Sequence, residues 1–126
     1  MTDPALKITD LSKTFTDASG LLGRSRREVR AVKGVSLEVA PGETLGIVGE
    51  SGCGKTTLAR MLVGLTPPTD GRIEINGTDR RGDSTRRFGR DIQYVFQDPT
   101  SSLNPRMTIR DILSVPLRHL HGMDGP

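Results

Sequence analysis

Residues 49–56 read Gly49-Glu50-Ser51-Gly52-Cys53-Gly54-Lys55-Thr56 and fit the spacing G-x-x-x-x-G-K-[ST] without a mismatch. The chemistry open to such a loop is anion binding. Its three glycines let the backbone wrap closely, successive N–H groups turn toward one concavity, and a helix starting at the lysine adds the positive end of its dipole. A phosphate chain is the expected guest, with Lys55 reaching the β- and γ-phosphates and the Thr56 hydroxyl offered to Mg²⁺. The plain alternative is a glycine-rich turn with a solvated lysine. Cys53, inside the loop, is either a thiol made reactive by Lys55 and the helix start or a small residue that fits there.

The flanks decide between these readings. Residues 44–48 follow Pro41-Gly42 as a short, nearly continuous apolar run (Leu45, Ile47, Val48), the pattern of a strand buried on both faces of a parallel sheet. After the loop, Leu58, Met61, Leu62 and Leu65 fall at i, i+3, i+4 and i+7, Gly64 is placed to cap, and Pro67-Pro68 forbids continuation. Strand, glycine loop and helix together predict a nucleoside triphosphate site.

The other elements have to position that site. Residues 5–11 alternate with Leu6 and Ile8 on one face, and Val35, Leu37 and Val39 do the same, so both segments read as half-buried strands. Aromatics are only 3% of the chain, so an exposed Phe15 invites stacking on an adenine ring, although a phenylalanine is more often core. Residues 17–30 lack periodicity and hold Arg24, Arg26, Arg27 and Arg30, which predicts an exposed basic loop insertion. No aromatics interleave with these arginines, so no nucleic-acid partner is expected. Residues 72–76, before Asn76-Gly77, predict an antiparallel hairpin edge, and 80–90 read as a polar loop.

Residues 92–96 form a second apolar run, ending at Gln97-Asp98-Pro99. Ligands of open parallel sheets sit at the carboxyl ends of the strands, which makes Gln97 a candidate for contacting Mg²⁺ or orienting a water. Asp98 competes as a metal ligand, and a simple turn would explain both. Thr108 and Asp111 form a capping box for a helix whose Ile109, Ile112, Leu113, Leu117 and Leu120 share one face. That stripe reads as core, and Pro116 is expected to kink or end the helix.

A chain of 126 residues suits one modest domain. Its single cysteine excludes an internal disulfide and any multi-cysteine metal site. No apolar run is long enough to cross a bilayer, and Asp3, Pro4 and Lys7 stand where a secretory signal needs an apolar core. The expectation is a cytosolic α/β protein with parallel strands and an antiparallel β subdomain.

The run at 41–71, PGETLGIVGESGCGKTTLARMLVGLTPPTDG, together with YVFQDPTSSLNPRMTIRDIL, resembles the nucleotide-binding subunit of an ABC transporter. SSLNPRMT and GLLGRSRREVRAVKGVSLEV are similar to the ATPases of dipeptide, oligopeptide and nickel importers. The resemblance implies a partial ABC-type P-loop NTPase core that binds ATP and Mg²⁺ and drives import of a peptide or similar small solute. It makes Phe15 the aromatic stacked on adenine, 49–57 the Walker A loop with Thr57 also touching phosphate, and Gln97 the Q-loop glutamine. Implied partners are permease subunits near 98–106, a second ATP-binding subunit and, indirectly, a substrate-binding protein, at the inner face of the cell membrane. The signature, Walker B strand and switch histidine of the family do not occur between Thr108 and Pro126, and His119 and His121 come too early to be that histidine. The chain therefore reads as the N-terminal half of an ABC nucleotide-binding domain, expected to bind nucleotide without turnover of its own; other expectations are a regulatory nucleotide-binding fragment or a soluble P-loop NTPase.

Overall fold

The computed structural model describes residues 2–17 and 27–123. The chain divides into two compact units, Met1–Gly82 and Asp83–Pro126.

The first unit is built on a four-stranded antiparallel sheet in the order β2-β1-β3-β4, from β1 (Leu6–Asp17), β2 (Arg27–Val39), β3 (Asp70–Ile75) and β4 (Thr78–Asp79). Ile8, Leu11, Val32, Ile73 and Ile75 supply its buried face. The hairpin between β3 and β4 turns on Asn76 and Gly77, both at positive φ (49° and 72°), the geometry of the two-residue turn that matches strand twist. The strand β1 bulges at Asp10, whose φ is 49°. The Asp10 N–H freed by that bulge donates to Ser36 Oγ at 2.8 Å, and the Gly34 N–H donates to Ser12 Oγ at 2.8 Å. Two serines thus satisfy backbone groups that the ladder leaves out.

Helix α1 (Lys55–Leu62) lies against β2 and buries Leu58 and Met61. It ends as its sequence predicts: the Gly64 N–H donates to Met61 O and the Leu65 N–H to Arg60 O, which closes the last turn.

In the second unit, helix α2 (Thr85–Asp91) buries Phe88, and helix α3 (Ile109–His121) starts at Thr108, whose Oγ1 accepts from the Asp111 N–H at 3.2 Å. Arg90 Nε ties the two helices by donating to Leu120 O at 2.7 Å.

Four expectations need correction. Residues 44–48 and 92–96, read as parallel strands, join no sheet among the described residues, and Val48 is 97% exposed. An apolar run marks where a strand can be buried, but pairing needs a neighbouring edge, and the sheet here is assembled from antiparallel partners. The basic loop is narrower than 17–30: Asp17 pairs with Arg27, Thr16 with Glu28, Phe15 with Val29 and Thr14 with Arg30, while 18–26 lie outside the described residues. Residues 27–30 are exposed on both faces, so their sequence carries no alternation to reveal the strand. Within 80–90, a helix replaces the loop, with Phe88 as its buried anchor and an Asp83–Arg87 ion pair at 3.3 Å spaced i, i+4. Finally, α3 runs past Pro116 to His121 and buries none of its residues, so its stripe is not core.

Candidate nucleotide site

The glycine loop joins Glu50 to the start of α1 within the first unit. Gly54 is the N-cap of the helix, with φ 102°, no side chain caps it, and the first turn carries no acidic residue. Among the described residues, no side chain thereby claims the first-turn N–H groups and the positive helix end. Lys55 turns back over the loop: its Nζ donates to the Gly49 carbonyl, to the Glu50 carbonyl at 2.8 Å and to Cys53 Sγ at 3.5 Å. The Cys53 N–H donates to Glu50 O at 3.3 Å, which tightens the same turn. A Cβ on Gly49 would come within 2.5 Å of Cys53 Sγ. At Gly49 the loop closes on space that a side chain would fill. Thr56 is exposed and Thr57 half-buried at the head of the helix.

Behind the loop stands β2. Lys13 pairs with Val32 and Thr14 with Arg30, so Ala31 is an extra residue on that strand. A Cβ on Gly54 would overlap the Ala31 carbonyl oxygen. Position 54 therefore needs glycine twice over, for its positive φ and for the close approach of this bulge. Sequence reading missed Ala31; the only trace it leaves is the broken alternation between Val29 and Val32.

Phe15 lies on β1 opposite Val29 and is 46% exposed. It lines an open cavity of about 490 Å³ with Thr16, Arg27 and Val29. Lys13 Nζ sits 5.1 Å from the centroid of its ring. None of Lys13, Thr16, Arg27 and Val29 stands out from sequence as a site residue, because Arg27 and Val29 lie inside the segment read as loop and Lys13 and Thr16 just before it.

Gln97 belongs to the second unit, where it is exposed. Before it, Tyr94 and Phe96 meet edge to face at 4.6 Å between centroids. Asp98 organises the turn that follows: its Oδ1 accepts from Thr100 Oγ1 at 2.7 Å and from the Ser101 N–H at 3.4 Å, and its carbonyl accepts from Ser101 Oγ at 2.9 Å. The Thr100 hydroxyl foremost, then the Ser101 N–H, hold the Asp98 carboxyl below its ordinary value. Its Oδ1 and its carbonyl oxygen are taken up by the loop, which fits a turn former. Among the described residues no group of three or more His, Cys, Asp or Glu could hold a metal ion by itself.

A glycine loop capped by an unclaimed helix start, with a lysine folded over it, is the phosphate site of many folds. Comparison with known proteins narrows it, since the ABC transporter family matches residues 32–123, from the bulged strand to the end of α3. The chain belongs to the ABC transporter family. It is 47% identical over 121 residues to the oligopeptide transport ATP-binding protein OppF of Salmonella typhimurium, covering 92% of this chain and 36% of that one. To the oligopeptide transport ATP-binding protein AppF of Bacillus subtilis it is 46% identical over 122 residues, covering 94% and 37%. The chain thus spans about a third of the length of the curated relatives it matches. The ATP-binding cassette MJ0796, solved as a dimer with ADP and Pi, shares the fold at a TM-score of 0.76 and 24% identity, over 96% of this chain and 50% of that one. The antiparallel sheet and the loop-bearing helix are accordingly those of a partial ABC ATPase core. Among the described residues of this family member, no helix is long and apolar enough to cross a membrane.

Proposed function

We propose that the chain is the nucleotide-holding part of an ATP-binding subunit that powers import of peptides or a similar small solute, attached to the inner face of the membrane through permease subunits. The observation that carries this reading is the loop itself: Lys55 held on the Gly49 and Glu50 carbonyls, at the head of a helix whose first turn no side chain among the described residues caps. The names of the relatives, oligopeptide transport ATP-binding proteins, support the solute class.

In this reading the backbone of 49–54 and the first turn of α1 bind the phosphates of ATP, and Lys55 leaves the loop carbonyls to meet the β- and γ-phosphate oxygens. Thr57 adds a phosphate contact. The Thr56 hydroxyl would be the first unit's ligand for Mg²⁺, and Gln97, on the second unit, would contact Mg²⁺ or orient a water. So few protein ligands suit Mg²⁺, which takes most of its oxygens from phosphate and water. When bound there, Mg²⁺ would supply neutralisation of phosphate charge. Phe15 stacks on adenine, and residues 98–106 face the permease. A second ATP-binding subunit pairs with this one, and the substrate-binding protein acts through the permease.

Calorimetric titration of the 126-residue chain with MgATP tests the site. Lys55→Met is expected to weaken binding about ten- to hundredfold, the worth of hydrogen bonds to a charged group. Equal affinity in both chains would remove Lys55 from the site. The signature, Walker B and switch-histidine residues that the family uses beside Gln97 do not occur in 1–126, so this 126-residue chain by itself is expected to show no steady hydrolysis; turnover that Lys55→Ala abolishes would contradict that.

A further inference from the structure

The turn that leaves α1 folds back onto β1 beside Phe15. The Thr69 N–H donates to Ser12 O at 2.9 Å, the Thr14 N–H donates to Thr69 Oγ1 at 3.0 Å, and Lys13 Nζ donates to Pro67 O at 2.8 Å. These bonds take over where β1 parts from β3, whose last pair is Ser12 with Asp70. The same Lys13 ammonium stands 5.1 Å from the centre of the Phe15 ring, within the range of about 6 Å for a cation–π contact. One side chain thus joins the exit of the phosphate-loop helix to the half-exposed aromatic ring.

We propose that Lys13 is a positioning residue for the nucleotide base: tethered to Pro67, it holds the Phe15 ring from one face, so that the base enters the cavity formed with Thr16, Arg27 and Val29 onto a ring already fixed. This rests on the reading of Phe15 as the adenine platform. Among the described residues, a ring on β1 beyond the β3 pairing has β2 as its one neighbouring strand, and its orientation would otherwise be settled during binding, at an entropic cost to affinity. Because Pro67 follows α1 by only a few residues, the tether also sets the ring relative to the helix that carries the loop.

The test compares affinities of the 126-residue chain for MgATP and for inorganic tripolyphosphate, which has no base to stack. Lys13→Gln keeps a donor for Pro67 but loses the charge, and Lys13→Arg keeps both. The expected result is a loss of about two- to fivefold in ATP affinity for Lys13→Gln, with tripolyphosphate unchanged and Lys13→Arg near the parent. In a Phe15→Ala background, Lys13→Gln should add nothing. If Phe15→Ala weakens ATP while Lys13→Gln does not, the stacking reading stands and Lys13 has no positioning role. If Lys13→Gln weakens tripolyphosphate as much as ATP, its effect runs through the phosphate loop, and the proposal falls. If Phe15→Ala leaves ATP affinity unchanged, the platform itself falls, and Lys13 with it.

Discussion

In the first unit Ile8, Leu11 and Met61 are at most 2% exposed, while in the second Ile109, Leu113 and Leu117 stand 74%, 65% and 48% exposed and Phe88 is the buried residue of both helices. Both regions carry apolar patterns in their sequence. What differs is where each finds its partners. β1, β2, β3 and β4 are linked by antiparallel pairings, so each strand has at least one paired neighbour, and α1 packs on β2. The stripe of α3 has no such cover among the described residues of its own unit. Nor do 44–48, which share the first unit but not its sheet. Periodicity states which face of an element is apolar; only topology states whether that face is covered.

The sharpest way to break this comparison is to cut into both regions alike. Met61→Ala removes a fully buried side chain and should destabilise the first unit by about 3 kcal/mol, in the range of methionine truncations that leave a cavity. Leu113→Ser, on a side chain that is 65% exposed, should change stability by no more than about 0.5 kcal/mol. Urea unfolding followed by circular dichroism measures both. A loss of 2 kcal/mol or more from Leu113→Ser would mean that the α3 stripe is covered in solution, and the contrast between the units would vanish.

The same contrast explains which features could be read from residues alone. The glycine loop, the start of α1 and its closure at Gly64, the Asn76-Gly77 hairpin and the Thr108–Asp111 cap were all legible, because each is decided by a few adjacent residues whose backbone preferences agree. The β2 start at Arg27 was hidden because its side chains are wet on both faces, and α2 because a single phenylalanine among arginines leaves no stripe. At the site, Lys55 and the loop glycines announce themselves by spacing. Ala31 and Lys13 act through a bulge and a fold-back, which join residues distant in sequence, and no local pattern encodes either.

The smallest effect concerns one carboxylate in each unit. Asp79 is held below its ordinary value first by the Arg81 N–H, with further contributions from the Arg81 side chain at 3.0 Å and the charge of Arg72 at 3.4 Å. Asp98 is held down by a neutral hydroxyl and an N–H, with no cation among its causes. In both, the folded state favours the carboxylate, so the contribution is fully present above the unfolded aspartate value of about 3.9 and is lost as pH falls through the lower folded value. Neither turn should change between pH 7 and about 4. The two should part in salt: at 1 M ionic strength screening acts over about 3 Å, so part of what lowers Asp79 is removed and its titration moves upward, while that of Asp98 stays. Carboxyl resonances followed by NMR from pH 5 to 2, at low and at 1 M salt, measure both midpoints. Equal shifts in the two would show that the arginines beside Asp79 contribute no more in solution than the hydroxyl beside Asp98.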